Sequence, residues 1–165
     1  MLLRKASFIW LATTLITFWE VTGHAAIKNW AGIAGDNNWH TASNWNPSGV
    51  PTSADDVYID STTTITANIG APYINVNSLT LGGTKSPTLK VSTTIVTVAD
   101  LLIKNTATLE QATLNQLTIG GNLTIQSGGK ITHSANTTSK LYIVNISVLG
   151  NFDLQTGASI NLNGK

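Results

Sequence analysis

The chain has 165 residues, the length of one ordinary domain. Its formal net charge is +1 and only 10% of its residues are charged, so the composition excludes a basic nucleic-acid footprint and a polybasic membrane patch. It contains no cysteine, which excludes disulfide bonds and thiolate metal sites.

The first 25 residues have the composition of a secretory signal peptide. Arg4 and Lys5 supply a positive start, an apolar segment follows, and Gly23 and Ala25 are small residues that suit a cleavage site. The apolar segment has about 14 residues, whereas a membrane-spanning helix needs about 20. We predict cleavage after Ala25 and export of the remaining chain, without a membrane span; an uncleaved anchor is the alternative interpretation.

Residues 26–60 concentrate the aromatic and turn-forming chemistry of the predicted mature chain. The three tryptophans and the Asp-Asp pair of this segment are Trp30, Trp39, Trp45, Asp55 and Asp56. Such an atypical block is expected where a repetitive fold must cover the open end of its core. We predict an N-terminal cap in which the tryptophans close that end. The alternative is a tryptophan-lined sugar platform with paired carboxylates.

Residues 61–165 consist of short apolar-x-apolar triplets separated by Gly, Asn, Ser and Thr, the pattern of strands and turns. The triplets LTL, LLI and LTI begin 22 residues apart, at Leu79, Leu101 and Leu123, and FDL follows at Phe152 after seven extra residues. The three triplets of each unit are spaced by 6 and then 8 residues. This spacing predicts an all-β fold, a right-handed parallel β-helix in which each unit of about 22 residues is one coil.

Alternate residues of a strand point to one side, so the first and third residues of each triplet are predicted to point inward and to stack in rows. The predicted rows are Leu79, Leu101, Leu123 and Phe152; Leu81, Ile103, Ile125 and Leu154; and Leu89, Leu109, Ile131 and Ile160. Small polar residues precede the second triplet of each coil and are predicted to form a corner at which stacked side chains bond from coil to coil. They are Ser78, Asp100, Asn122 and Asn151.

The opening block and the triplets resemble a known family. The segments NWAGIAGDNNWHTASNWNPSGVPTSADDVYID, NSLTLGG and LTIGGNLTIQSGGKI are similar to the N-terminal portion of large secreted Bacteroidetes surface proteins, which resemble autotransporter passengers and typically use the type IX secretion route. The resemblance covers roughly residues 28–165. It implies a non-enzymatic protein with a structural or adhesive role at the cell surface or in the matrix. Such proteins usually continue into a sorting domain, so this sequence, which stops at SINLNGK, is expected to be a fragment, a truncated copy or a short relative.

No arrangement of residues predicts catalysis. Asp55 and Asp56 are adjacent and would point to opposite sides of a strand, whereas a glycosidase holds two carboxylates about 5–10 Å apart. Asp36 is a candidate third acid, and calcium is the one cofactor that such clustered oxygens would take. The β-helix polysaccharide lyases are similar in fold and commonly use Arg or Lys beside their calcium ligands, but the predicted mature chain has no arginine. We predict no enzyme and no cofactor; the alternative is a carbohydrate-binding module or the N-terminal part of such a lyase or hydrolase.

Two further predictions concern modification and partners. DST at Asp60–Thr62 resembles the O-glycosylation signal of the same bacterial group, with Ser61 as the acceptor. The final coil has no Trp, Pro or charge cluster after it, and unpaired strand edges tend to pair with another chain. Two kinds of partner are therefore predicted: surface glycans, and other copies of the chain that pair through the edge of the C-terminal coil. Nucleic acid is not predicted as a partner.

Overall fold

The computed structural model describes residues 26–67, 73–97 and 99–163. The predicted signal peptide at residues 1–25 lies outside the described residues. The described parts form β-strands and one short 3-10 helix, Ala42–Asn44, which confirms the prediction of an all-β fold. No helix in these parts is long and apolar enough to cross a membrane.

The strands form three sheets. In spatial order, the first sheet contains β15 (Phe152–Leu154), β12 (Leu123–Ile125), β9 (Leu101–Ile103), β6 (Ser78–Leu81), β3 (Asp56–Ile59), β1 (Ile27–Trp30) and β2 (Trp45–Asn46). The second contains β16 (Ser159–Asn161), β13 (Lys130–His133), β10 (Thr108–Gln111), β7 (Thr88–Val91) and β4 (Thr64–Ala67). The third contains β14 (Ile146–Val148), β11 (Leu117–Ile119), β8 (Ile95–Thr97) and β5 (Ile74–Val76).

From β3 onward the chain visits the three sheets in rotation, and each strand pairs in parallel with the strand three positions later. Three consecutive strands, one in each sheet, form what we call a layer, and each layer corresponds to one predicted coil. The last layer is β14, β15 and β16. Among the described strands, β1 and β2 make the one antiparallel pairing, at the far end of the first sheet.

The predicted rows are the register partners in the structure. Leu79 pairs with Leu101, Leu101 with Leu123 and Leu123 with Phe152, and the two rows that begin at Leu81 and Leu89 pair in the same way. The triplets fit this arrangement because their first and third side chains are buried and the middle one is only half-buried. The rows therefore form one continuous apolar core that also includes Trp39 and Trp45.

The last layer differs from the others in burial. Phe152, Leu154 and Ile160 keep the register of their rows, yet 51%, 46% and 38% of their surfaces are exposed. No later described layer packs on them. Their places in the inward rows are the predicted ones, but their exposure was not predicted and follows from the lack of a further described layer over them.

The corner residues bond from layer to layer as predicted. The carboxylate of Asp100 accepts a hydrogen bond from the backbone N–H of Asn122 at 2.7 Å, and the side-chain oxygen of Asn122 accepts one from the backbone N–H of Asn151 at 2.9 Å. The glycine turns are equally specific. Gly82 has a φ of +87°, and a Cβ there would collide with the carbonyl oxygen of Lys104 in the next layer.

The extra residues predicted between the last two coils form an irregular segment, residues 134–145, between β13 and β14. The Asn136 amide holds this segment in shape by accepting from the backbone N–H groups of Leu141 and Tyr142. Val144 packs against the core, and the segment leads back into β14 with the register of β11 intact. His133 is half-buried at the end of β13.

Candidate functional site

The three tryptophans pack together at the N-terminal end of the first sheet. Trp30 ends β1 and is the register partner of Trp45 on β2, with ring centroids 5.1 Å apart and the rings nearly perpendicular. Trp39 packs on the other side of Trp45 at 4.7 Å, also edge to face. The Trp45 indole N–H donates to the Trp39 carbonyl oxygen at 2.8 Å, so its polar atom is satisfied inside the core.

This cluster occupies the end of the core. Only 1% of the surface of Trp39 and of Trp45 is exposed, and both belong to the same apolar cluster as the inner rows. Trp39 reaches this place because the backbone at residues 37–39 bonds to Thr66 on β4. Neither buried ring presents a face to a ligand, whereas Trp30 is half-buried. The structure thus brings the predicted tryptophans together, with their faces mostly against one another and the core.

The Asp-Asp pair is divided between two structural tasks. Asp55 is buried, and its carboxylate accepts from the backbone N–H of Thr52 at 2.7 Å and from the Thr52 hydroxyl at 2.9 Å. Asp56 accepts from the Asn77 amide at 2.8 Å and from the Ser78 hydroxyl at 2.5 Å, both in the next layer. Their carboxylates thus fix a turn and a layer contact, and they do not form a joint pair.

Asp36 organises the loop that carries the tryptophans. Its carboxylate accepts from the Thr41 hydroxyl and the Asn44 amide, both at 2.6 Å, and from the backbone N–H of Asn38. These hydrogen bonds, with that of Thr41 the largest contribution, hold the pKa of Asp36 below its ordinary value. Asn44 is fully buried and also accepts from the N–H of Ala34.

The acids therefore have partners within the protein. Among residues 26–67, 73–97 and 99–163, no group of three or more His, Asp or Glu side chains is placed to hold a metal ion. Three acids were candidates for calcium ligands: Asp36, Asp55 and Asp56. The carboxylate of each accepts hydrogen bonds from neighbouring residues. No contact of the described residues assigns them to calcium, and the expectation that the chain takes no cofactor stays a prediction.

An open cleft of about 510 Å³ lies beside the tryptophan cluster. Its lining residues are Trp39, His40, Val50, Pro51, Thr52, Ser53, Tyr73 and Asn75. The Tyr73 ring is 54% exposed, and the Nε2 atom of His40 is buried without a hydrogen-bond partner among the described residues. Burial lowers the pKa of His40, which favours its neutral form. The cleft thus combines an accessible aromatic ring with amide, hydroxyl and imidazole groups.

A smaller cleft of about 180 Å³ contains the predicted glycosylation signal. It lies beside Trp30 and includes Ser61 and Lys85. Asp60 accepts from the backbone N–H groups of Thr84 and Lys85, and these bonds, that of Thr84 first, lower the pKa of Asp60. The Ser61 hydroxyl is half-buried and shares a hydrogen bond of 2.8 Å with the Thr63 hydroxyl. Glycosylation of Ser61 stays a prediction.

Two features of the structure could not be predicted from the sequence. Lys28 is nearly buried, and its ammonium group donates to the carbonyl oxygens of Pro47 and Ser48, which ties β1 to the turn after β2. The Tyr73 cleft was also missed, because its lining residues are far apart in the chain.

Comparisons with protein-family models, curated proteins and solved structures found no match. The function therefore has to be inferred from the residues and their geometry.

Proposed function

We propose that the mature chain is a right-handed parallel β-helix that, once exported, has a non-enzymatic structural or adhesive role at a bacterial cell surface or in the surrounding matrix. The observation that carries this proposal is the set of in-register apolar rows that run from layer to layer. A stack of this kind gains stability mainly from contacts between neighbouring layers. The resemblance of residues 28–165 to Bacteroidetes surface proteins favours the same role.

The N-terminal segment, residues 26–60, fits the role of a cap. The antiparallel strand β2 and the tryptophan cluster close the end of the first sheet, and the backbone at residues 37–39 adds a bridge to the edge of β4. Burying large aromatic rings at this point removes the open core end that the first layer would otherwise have. The cap therefore stabilises the stack rather than contributing a reactive group.

The hydrogen bonds that the acidic side chains accept within the protein support a non-enzymatic role. A two-carboxylate hydrolase needs one carboxyl group with a raised pKa and a second, ionised one nearby. Hydrogen bonds from neighbouring residues lower the pKa values of Asp36 and Asp60. Such carboxylates are poor proton donors at neutral pH.

An assay that measures binding and turnover together tests this proposal. Mature protein would be incubated with immobilised cell-surface and matrix polysaccharides, and both the retained protein and the released oligosaccharides would be measured. We expect retention on at least one surface without any release of product. Catalytic release of oligosaccharides by the purified protein would overturn the non-enzymatic assignment. Absence of retention on every surface would overturn the adhesive role.

A second candidate function, sugar binding, is favoured by the Tyr73 cleft. An exposed aromatic ring beside amide and hydroxyl groups matches both the apolar faces and the hydroxyl groups of a sugar ring. Asn75 and Ser53 supply the polar groups of this cleft. If this site binds glycans, Tyr73→Ala should abolish binding on a glycan array. Tyr58→Ala is the matched control, because Tyr58 is 44% exposed on β3 and does not line the cleft. Equal loss in both variants would exclude the cleft as the site.

A further inference from the structure

We infer that the last layer is a self-complementary surface through which two copies of this chain associate end to end, related by a two-fold axis that lies between β15 and its copy. The inference rests on strand register and burial and does not depend on the proposed surface role. It specifies the partner and geometry of the edge association that the sequence predicts.

The first observation is the change in burial between the last two layers. Leu123, Ile125 and Ile131 are at most 2% exposed, because β15 and β16 lie over them. Their register partners in the last layer are about half exposed or a little less. A depression of about 210 Å³ at this end is lined only by apolar side chains: Leu123, Val144, Ile146, Val148, Phe152 and Ile160.

The second observation is the lack of devices that usually block edge pairing. Exposed strand edges in soluble proteins commonly carry Lys, Pro or a bulge. Between residues 146 and 163 the sequence has no Lys and no Pro, and Asp153 is its one charged residue. The three strands of this layer therefore offer unprotected edges and apolar ends at the same surface.

The third observation identifies the occupant as the same end of a second copy. At the opposite end, the first sheet is closed by the antiparallel strand β2, and the edge of β4 is bridged by Asn38 at Thr66. Among the described strands, that end therefore offers one open edge, that of β5, whereas head-to-tail stacking of a whole layer would need three. The C-terminal end of another copy does offer matching edges.

The fourth observation is the near symmetry of the last layer. β14, β15 and β16 are each three residues long, and the connections on either side of β15 have three and four residues, 149–151 and 155–158. A two-fold axis that lies between β15 and its copy, level with the middle of the strand, places the two β15 strands antiparallel and sets β14 of each copy against β16 of the other. All three edges then meet strands of the same length, and the contact is closed at two copies.

This geometry makes Asp153 diagnostic. It is the middle residue of β15 and the register partner of the outward-facing Thr124. Across the axis the two Asp153 side chains face each other directly, and like charges opposite one another weaken an antiparallel pair. The wild-type dimer is therefore expected to be weaker than a dimer in which this repulsion is removed.

Sedimentation equilibrium of the mature chain over a range of concentrations tests the association. We expect a monomer–dimer equilibrium that stops at the dimer. Leu154→Lys should abolish it, because the charge would enter the apolar end. Thr80→Lys, an equal charge change at the corresponding outward position of β6, should leave it intact, because three strands of the first sheet separate it from the contact. Circular dichroism melts of both variants would verify that they fold. A wild-type monomer at every concentration, or an open series of larger assemblies, would overturn the inference.

A charge exchange at Asp153 tests the axis itself. Asp153→Asn should tighten the dimer by about two- to five-fold. When the wild-type chain is mixed with Asp153→Lys, heterodimers should exceed the statistical half of all dimers, as measured by native mass spectrometry. A heterodimer share at or below one half would overturn the two-fold pairing of β15 with its copy.

Discussion

The two ends of the strand stack differ in whether their apolar side chains are shielded from solvent. At the N-terminal end, Trp39 and Trp45 close the core and are almost completely buried. At the C-terminal end, apolar side chains in the same kind of position remain accessible. Ile125 and Leu154 are register partners with similar side chains, yet the first is buried and the second is about half exposed. Burial in this fold is thus decided by the neighbouring layer and not by the residue itself.

The largest expected effect comes from a charge placed in the middle of the stack. Ile125→Asp should lower the free energy of unfolding by several kcal/mol, comparable to the whole stability of a domain at about 5–15 kcal/mol. Leu154→Asp, the same change one layer later, should cost far less, because its charge stays hydrated. Thr124→Asp is the outward-facing control and should be mild. Urea unfolding followed by circular dichroism measures all three, and equal losses at Ile125 and Leu154 would refute the comparison.

The second effect compares the aromatic residues of the two ends. Trp45→Ala should cost about 3–5 kcal/mol, because it leaves a cavity in an enclosed cluster. Phe152→Ala should cost less than about 2 kcal/mol, since half of its ring is already exposed. Both would be measured at concentrations at which the chain is monomeric. Red-shifted and readily quenched tryptophan fluorescence from the wild-type protein would contradict a closed N-terminal end.

The third effect concerns the corner residues. Asn122→Ala removes the acceptor of the Asn151 backbone N–H and should cost about 0.5–1.5 kcal/mol. Asn151→Ala should be close to neutral, because within the described residues no later layer offers its side chain a backbone N–H. The difference between the two melting temperatures is the measurement. Identical melting temperatures would mean that the corner bonds do not add to layer stacking.

The smallest effect is an acid sensitivity of the N-terminal end. Because the folded-state pKa of Asp36 is lowered, its contribution to stability is present above the ordinary value of 3.8 and is lost as the pH falls through the lowered value. Asp36→Asn should therefore reduce the loss of stability in that acidic range. Tryptophan fluorescence reports on this end of the molecule. An unchanged acid transition in the variant would show that the Asp36 hydrogen bonds are not what acid disrupts.

The regular part of the fold could be predicted because its signal is repeated. The inner rows share a fixed spacing, so Leu79 identifies Leu101 and Leu123 as its partners. What could not be predicted depends on contacts between residues without a shared spacing. From the sequence, Lys28 is expected to be an ordinary surface charge. In the structure its ammonium group donates to carbonyl oxygens about 20 residues away, at Pro47 and Ser48.

The candidate site shows the same limit. The hydrogen bond of Asp55 to the backbone N–H of Thr52 is of the kind that local sequence indicates, because Asp at a turn commonly bonds a backbone group only a few residues away. The cleft of Tyr73 and His40 was not predicted, since its two sides come from distant segments and neither carries a known motif. The exposure of Leu154 was also missed, because a sequence pattern describes a row and does not indicate which member has a neighbour above it.

The segment at residues 134–145 has a consequence for engineering. It adds residues between β13 and β14, yet Ile146 still pairs in register with Leu117. The additional residues therefore form a loop and do not shift the strands. For a flexible loop, each doubling of length costs only about 0.6 kcal/mol. This corner is therefore a natural site for grafting a foreign epitope or binding peptide, with the exposed residues 137–139 as the insertion point, while the rows beneath keep their alignment.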